Sequence, residues 1–122
     1  MSNQLLMRIL IVEDEPMIAL GLEDLLIASR FKVAGVASRL EKALAVIELG
    51  EIDAAIVDAN LAGVSAKPAG ALLEARGLPY LVLSGYSAKQ QADNFPGAAM
   101  FIQKPFVPDQ LIQALVGMAP SH

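Results

Sequence analysis

Arg8-Ile9-Leu10-Ile11-Val12 runs straight into Glu13-Asp14-Glu15-Pro16. A short aliphatic run rich in β-branched residues reads as a strand buried on both faces. The acids and proline that follow read as a helix start, where negative charge meets the positive dipole end and the missing proline N–H costs nothing. The same punctuation returns along the chain. Ala54-Ala55-Ile56-Val57 stops at Asp58, Leu81-Val82-Leu83 stops at Ser84, and Met100-Phe101-Ile102-Gln103 stops at Lys104. If these runs are parallel strands, Glu13, Asp14, Asp58, Ser84 and Lys104 gather at one carboxyl edge, where an open parallel sheet binds its ligands.

Between these runs the pattern is helical. Ile18, Leu22, Leu25 and Leu26 recur at helical spacing and extend the first helix from Pro16 to about Ser29. A weaker strand covers 31–37, loosened at Gly35. Ser38 then reads as the cap of a second helix, with Glu41 completing a capping box. Leu40, Ala43, Leu44 and Ile47 form the buried stripe of that helix, and Gly50 ends it. The third strand covers 53–57, and 60–65 reads as a small, flexible loop. Pro68 opens a third helix that Gly77 closes, and 79–83 is the fourth strand. The polar stretch 86–95 lacks an apolar stripe and predicts only a short or frayed fourth helix. A fifth strand covers 98–103. Pro108 starts the last helix, with Val107, Leu111, Leu115 and Met118 toward the core. Met17, Met100 and Met118 read as core filler. Five strand–helix alternations predict an α/β fold, a five-stranded parallel sheet with helices on both faces.

Composition bounds the rest. The 122 residues suffice for one core, and the expectation is a single domain over 1–122 with no output domain. The hydrophobic fraction of 55% and mean hydropathy of +0.51 are high, yet charges such as Glu23 and Arg30 break every apolar stretch short of a membrane span. The start, Met1-Ser2-Asn3-Gln4, lacks the features of a signal peptide, and the absence of cysteine excludes disulfides and thiolate metal sites. A cytoplasmic protein is expected. The net charge of −4 argues against direct nucleic-acid binding. His122, on a short tail after Pro120, carries no expected role.

The strand-end residues specify a chemistry. Crowded carboxylates are costly to ionise together, and a hard divalent cation offsets that cost. Mg²⁺ takes few protein oxygens: Asp14 and Asp58 directly, Glu13 through water, and the backbone carbonyl of Asn60. Asp58 is the candidate nucleophile toward phosphorus. Mg²⁺, Lys104 and the Ser84 hydroxyl would then neutralise the equatorial oxygens, and Gly85 leaves room for the phosphodonor. Each residue has a blander reading: a helix-end acid, a turn serine, a solvated lysine. Their joint placement outweighs those readings. The isomer of the Lys104–Pro105 bond stays open at this level.

Over its whole length this constellation resembles the receiver domain of two-component response regulators. The resemblance rests on Glu13-Asp14-Glu15, Asp58, Ser84 and Lys104-Pro105-Phe106 in register with five βα units. It implies a Mg²⁺-dependent phosphoacceptor at Asp58, with Glu13, Asp14 and Asp58 holding the metal, Ser84 as switch hydroxyl and Phe101 as switch aromatic. It implies a sensor histidine kinase or histidine phosphotransferase as partner, and a downstream regulatory protein or a phosphate-sink role as output. Asp58-Ala59-Asn60-Leu61-Ala62-Gly63-Val64-Ser65 departs from the family's usual Met-Pro and Asp-Gly segment. With Pro68 and Ser84-Gly85-Tyr86 it looks like a stand-alone alphaproteobacterial subgroup that carries Thr-Gly-Tyr and works with HWE-type kinases. Here Ser84 replaces the threonine. Tyr86 is placed to overhang the site and slow attack by water.

Two rivals follow from the same residues. One is an interaction module that never takes phosphate, which the retained acids disfavour. The other is an aspartate phosphatase, an enzyme that would want a second acid where Asn60 stands. A nucleotide-binding reading lacks the glycine-rich phosphate loop.

Overall fold

A computed structural model describes residues 6–118. The expectations for the amino-terminal residues and for the tail with His122 lie outside them. Strand β1 spans Arg8–Val12 and is followed by α1, Pro16–Ala28. β2 spans Lys32–Ala37, α2 Leu40–Leu49 and β3 Ala54–Asp58. A two-stranded hairpin, β4 at Asn60–Leu61 and β5 at Val64–Ser65, precedes α3, Lys67–Ala75. β6 spans Tyr80–Ser84, α4 Ala88–Gln91, β7 Met100–Gln103 and α5 Pro108–Gly117. The main sheet is five-stranded and parallel in the order β2-β1-β3-β6-β7. The order reverses between β1 and β3, which opens a crevice beyond their carboxyl ends.

Side chains alternate across the pleat and divide the core in two. Leu10, Val12, Ala55, Val57, Tyr80 and Val82 meet α2 and α3 on one face. Ile9, Ile11, Ala54, Ile56, Leu81 and Leu83 meet α1 and α5 on the other. With both faces covered, β3 and β6 are buried from end to end. That explains their unbroken aliphatic runs and leaves Asp58 and Ser84 as polar residues forced to the rim. At the opposite edge Asp53 accepts from the Arg8 backbone N–H at 2.7 Å and from its guanidinium at 3.1 and 3.2 Å, tying β3 to β1. No helix among the described residues is long and apolar enough to cross a membrane.

Several expectations need correction. The residue before α2 is Arg39, not Ser38, and it makes no side-chain cap, because Ala37 stays paired with β1 and the helix begins at Leu40. Met17 is 79% exposed and Met100 40% exposed, so neither fills the core. Met17 lies on the outer face of α1, and Met100 on edge strand β7, which has a neighbour on one side only. Val107 is 58% exposed because it precedes α5 in extended backbone. Leu111 and Leu115 do face the core.

The segment 60–65 is a structured hairpin rather than a plain loop. Ala62 at φ 52° and Gly63 at φ 90° link the paired Leu61 and Val64, the backbone a two-residue type I′ turn requires. Asn60 Oδ1 accepts the Gly63 N–H at 2.6 Å and closes it. Glycine is at ease there, whereas alanine is strained. Ala62→Asn supplies the preferred Asn-Gly pair and should stabilise the fold by about 0.5–1 kcal/mol. A urea midpoint that rises at constant slope is the expected readout; a fall would contradict the strain.

Candidate functional site

Four strand ends build one acidic pocket. Glu13 follows β1, and its N–H donates to Ala37 O of β2 at 3.0 Å, which fixes the turn into Asp14. Glu15 N–H donates back to Glu13 Oε2 at 3.1 Å. Asp58 closes β3, and the next residue, Ala59, donates to Leu83 O of β6 at 2.9 Å. Lys104 N–H donates to Ser84 O at 2.8 Å, setting the ends of β6 and β7 level. The Lys104–Pro105 peptide bond is cis.

The side chains converge from these anchors. Lys104 Nζ lies 3.2 Å from Glu13 Oε1 and 3.2 Å from Asp58 Oδ2. Asp58 Oδ1 accepts the Asn60 N–H at 3.3 Å. Glu13 and Asp58 are buried, at 1% and 6% exposure, while Asp14 is half-buried. Burial first, and the Asp58 carboxylate second, push the Glu13 carboxyl up to about 7, against the pull of the Glu15 N–H and Lys104. Burial pulls the Lys104 ammonium down, but Asp58 and Glu13 outweigh it and hold its pKa above the ordinary lysine value.

This donor set fits a hard divalent cation. Glu13, Asp14 and Asp58 each offer a carboxylate oxygen, all within 4.8 Å of one another. With all three ionised, one ammonium leaves them with two negative charges in excess (three minus one), the charge that a divalent cation neutralises. The ligands are oxygens alone, as Mg²⁺ prefers.

Ser84 is buried at the end of β6, and its Oγ accepts the Tyr86 N–H at 2.9 Å. The hydroxyl thus shapes its own loop. Phe101 pairs with Val82 in register and is half-buried against the face that carries α2 and α3. A Cβ built on Gly85 meets nothing within 4 Å, so the backbone there borders open space. The Tyr86 side chain is 61% exposed. Ile18, Lys104, Pro105 and Phe106 line a cleft of about 350 Å³ next to the acids. Ile18 had the spacing of a core residue, so its place in this cleft was not legible from periodicity.

A model of the response regulator receiver domain matches residues 9–116. The chain belongs to this family. SdrG from Sphingomonas melonis Fr1 is similar at 35% identity and a TM-score of 0.76, covering 93% of this chain and 96% of that one. The response regulator PhyR from Brucella abortus is similar at 29% identity and a TM-score of 0.79, over 95% of this chain and 48% of that chain. The receiver domain of a modulated diguanylate cyclase from Desulfovibrio desulfuricans G20 reaches a TM-score of 0.83 at 25% identity, covering 93% of each chain. Comparison with curated proteins gives no match. The receiver fold and its acidic pocket with Lys104 are therefore present in this chain.

Proposed function

We propose that this receiver domain accepts a phosphoryl group on Asp58 in a Mg²⁺-dependent reaction and passes the signal on by protein contact. The observation that carries this reading is the seat of Asp58, with Lys104 on one oxygen and the Glu13–Asp14 pair beside it. When bound, Mg²⁺ would be held by Glu13, Asp14, Asp58 and the Asn60 carbonyl, and would neutralise a phosphoryl oxygen. Asp58 attacks phosphorus, a P–O bond forms, and the P–N bond of a phosphohistidine donor breaks with the electron pair leaving on the imidazole. Lys104 and Ser84 face the charge on the remaining oxygens. The histidine donor docks on α1, where Met17 and Leu20 are exposed beside the Ile18–Phe106 cleft. Similarity to SdrG at 35% identity supports the alphaproteobacterial single-domain subgroup as its setting.

Incubation with Mg²⁺ and acetyl phosphate should retard the wild-type chain on a phosphate-affinity gel and leave Asp58→Ala unshifted. A shift in both would place the acceptor elsewhere. Phosphorylation should draw on the Ser84 hydroxyl and let Phe101 move further inward, shifting an existing equilibrium. Tyr86 follows Ser84 by two residues, and its ring is free to fold over the acyl phosphate. Tyr86→Ala should shorten the acyl-phosphate lifetime several-fold; an unchanged decay removes that role.

A further inference from the structure

From Gly85 to Gly97 a single residue, Phe95, is buried. α4 within that segment has four residues and buries none of them. The buried anchor of the segment therefore lies at its far end, while at the near end the Tyr86 N–H is held by Ser84 Oγ. The Phe95 ring stands edge-on to Tyr80, with centroids 6.4 Å apart at 66°. It also presses on Gly70 of α3, where an added Cβ would lie 2.9 Å from the ring and 3.0 Å from the Tyr80 hydroxyl. The Tyr80 hydroxyl donates to Glu74 Oε2, and the same oxygen accepts the Gly97 N–H at 3.0 Å. Gly97 sits so close to Glu74 that a Cβ would be 2.7 Å from that oxygen. Neither Gly70 nor Gly97 has positive φ, so close approach, not backbone conformation, accounts for both. Two glycines, an aromatic pair and one carboxylate thus fit α3 to the turn before β7.

The other end of α3 belongs to the phosphoacceptor loop. Ala66, just before the helix, donates to Ala59 O at 2.9 Å, and the β4–β5 hairpin between them reaches Asp58 through the Asn60 N–H. Nine helical residues, a rigid span of roughly 13 Å, join the two ends.

We propose that α3 is a strut that couples the hairpin after Asp58 to a latch made of Glu74, Tyr80, Phe95 and Gly97, and that a displaced hairpin opens the latch and frees residues 85–97. This route is separate from Ser84 and Phe101. Its use in signalling rests on Asp58 being the phosphoacceptor. The acyl phosphate carries about −1.5 to −2 charges where the free carboxylate carried one, and its bulk and charge fall beside the Asn60 N–H, one of the contacts that hold the hairpin. Coupling through a rigid element requires that element to have two positions, and the latch supplies the closed one.

Amide hydrogen exchange on the full chain, read by mass spectrometry, tests each link. Glu74→Ala and Gly97→Ala should speed exchange over 92–97 about ten-fold, with β1 and β3 unchanged. Tyr80→Phe, which keeps the Glu74–Gly97 bond, should have a smaller effect. Unchanged protection in Glu74→Ala would overturn the latch. Asn60→Ala removes the Gly63 bond that closes the hairpin turn, loosening the hairpin without phosphate, and should also speed exchange over 92–97; if it affects only 59–66, the strut is overturned. Acetyl phosphate with Mg²⁺ should speed the same peptide several-fold in wild type and add nothing in Glu74→Ala. A phosphorylated chain with unchanged exchange at 92–97 would overturn the signalling role. A chain that takes no phosphate would overturn the phosphoacceptor reading, while the Asn60→Ala result still decides the strut.

Discussion

Lys104→Ala should leave a folded but weakened chain, destabilised by about 3 kcal/mol at pH 8 without metal, and slow to phosphorylate. Its ammonium bridges Glu13 and Asp58, both buried, and no other cation bonds either of them among the described residues. Removing it leaves two carboxylates facing each other. The effect depends on pH with a definite sign. Glu13 titrates near 7 in the fold against an ordinary 4.5. An acid whose folded pKa is raised contributes stability at low pH and loses it as pH climbs from about 4.5 to about 7. Without Lys104 that window extends upward, so the variant should be near wild type at pH 5 and furthest from it at pH 8. Millimolar Mg²⁺ should restore much of the difference, because the cation replaces the missing charge. Loss of a charge partner for the transferring phosphoryl group should also slow labelling by acetyl phosphate 10²-fold or more. Urea melts at the two pH values, with and without Mg²⁺, measure the first effect. A deficit that is equal at pH 5 and pH 8 would contradict the electrostatic account.

Phe95→Ala should cost about 3–5 kcal/mol, among the largest losses from any single side chain. The ring is 1% exposed, packs on Tyr80 and Gly70, and is the buried anchor of an otherwise exposed segment. Its removal opens a cavity that α3 and β6 cannot close, since both are held by their own ladders. Thermal melts should show the loss. A change below 1 kcal/mol would mean that Phe95 does not anchor the segment.

Much of this molecule was legible in the sequence because the buried strands advertise themselves. Ala54 to Val57 and Leu81 to Leu83 are aliphatic at every position, and each meets its polar rim residue where the strand ends. Glu13, Asp14, Asp58 and Lys104 were readable by the same logic, and the pocket brings them together. Features set by tertiary fit were not legible. Phe95 stands alone in a polar stretch, so no periodicity marks it as buried. Glu74 and Gly97 are 23 residues apart, and their contact follows from helix placement. Asn60 and Gly63 carried a turn signal, but Ala62 at positive φ hid the hairpin. Met17 has the hydrophobicity of a core residue, and it took the helix orientation to place it outward.

Edge strand β2 also bears on self-association. Its pairing with β1 slips between Ile9 and Leu10, whose partners are Val33 and Gly35, so Ala34 is an extra residue bulging from the ladder. Such a bulge twists the strand and breaks the even row of donors and acceptors that a neighbouring chain would need. Lys32 adds an exposed charge at its start. At the other margin β7 has only four residues. A chain this rich in aliphatic residues would otherwise offer two adhesive borders. The irregular one and the short one together guard it against edge-to-edge strand pairing into fibres.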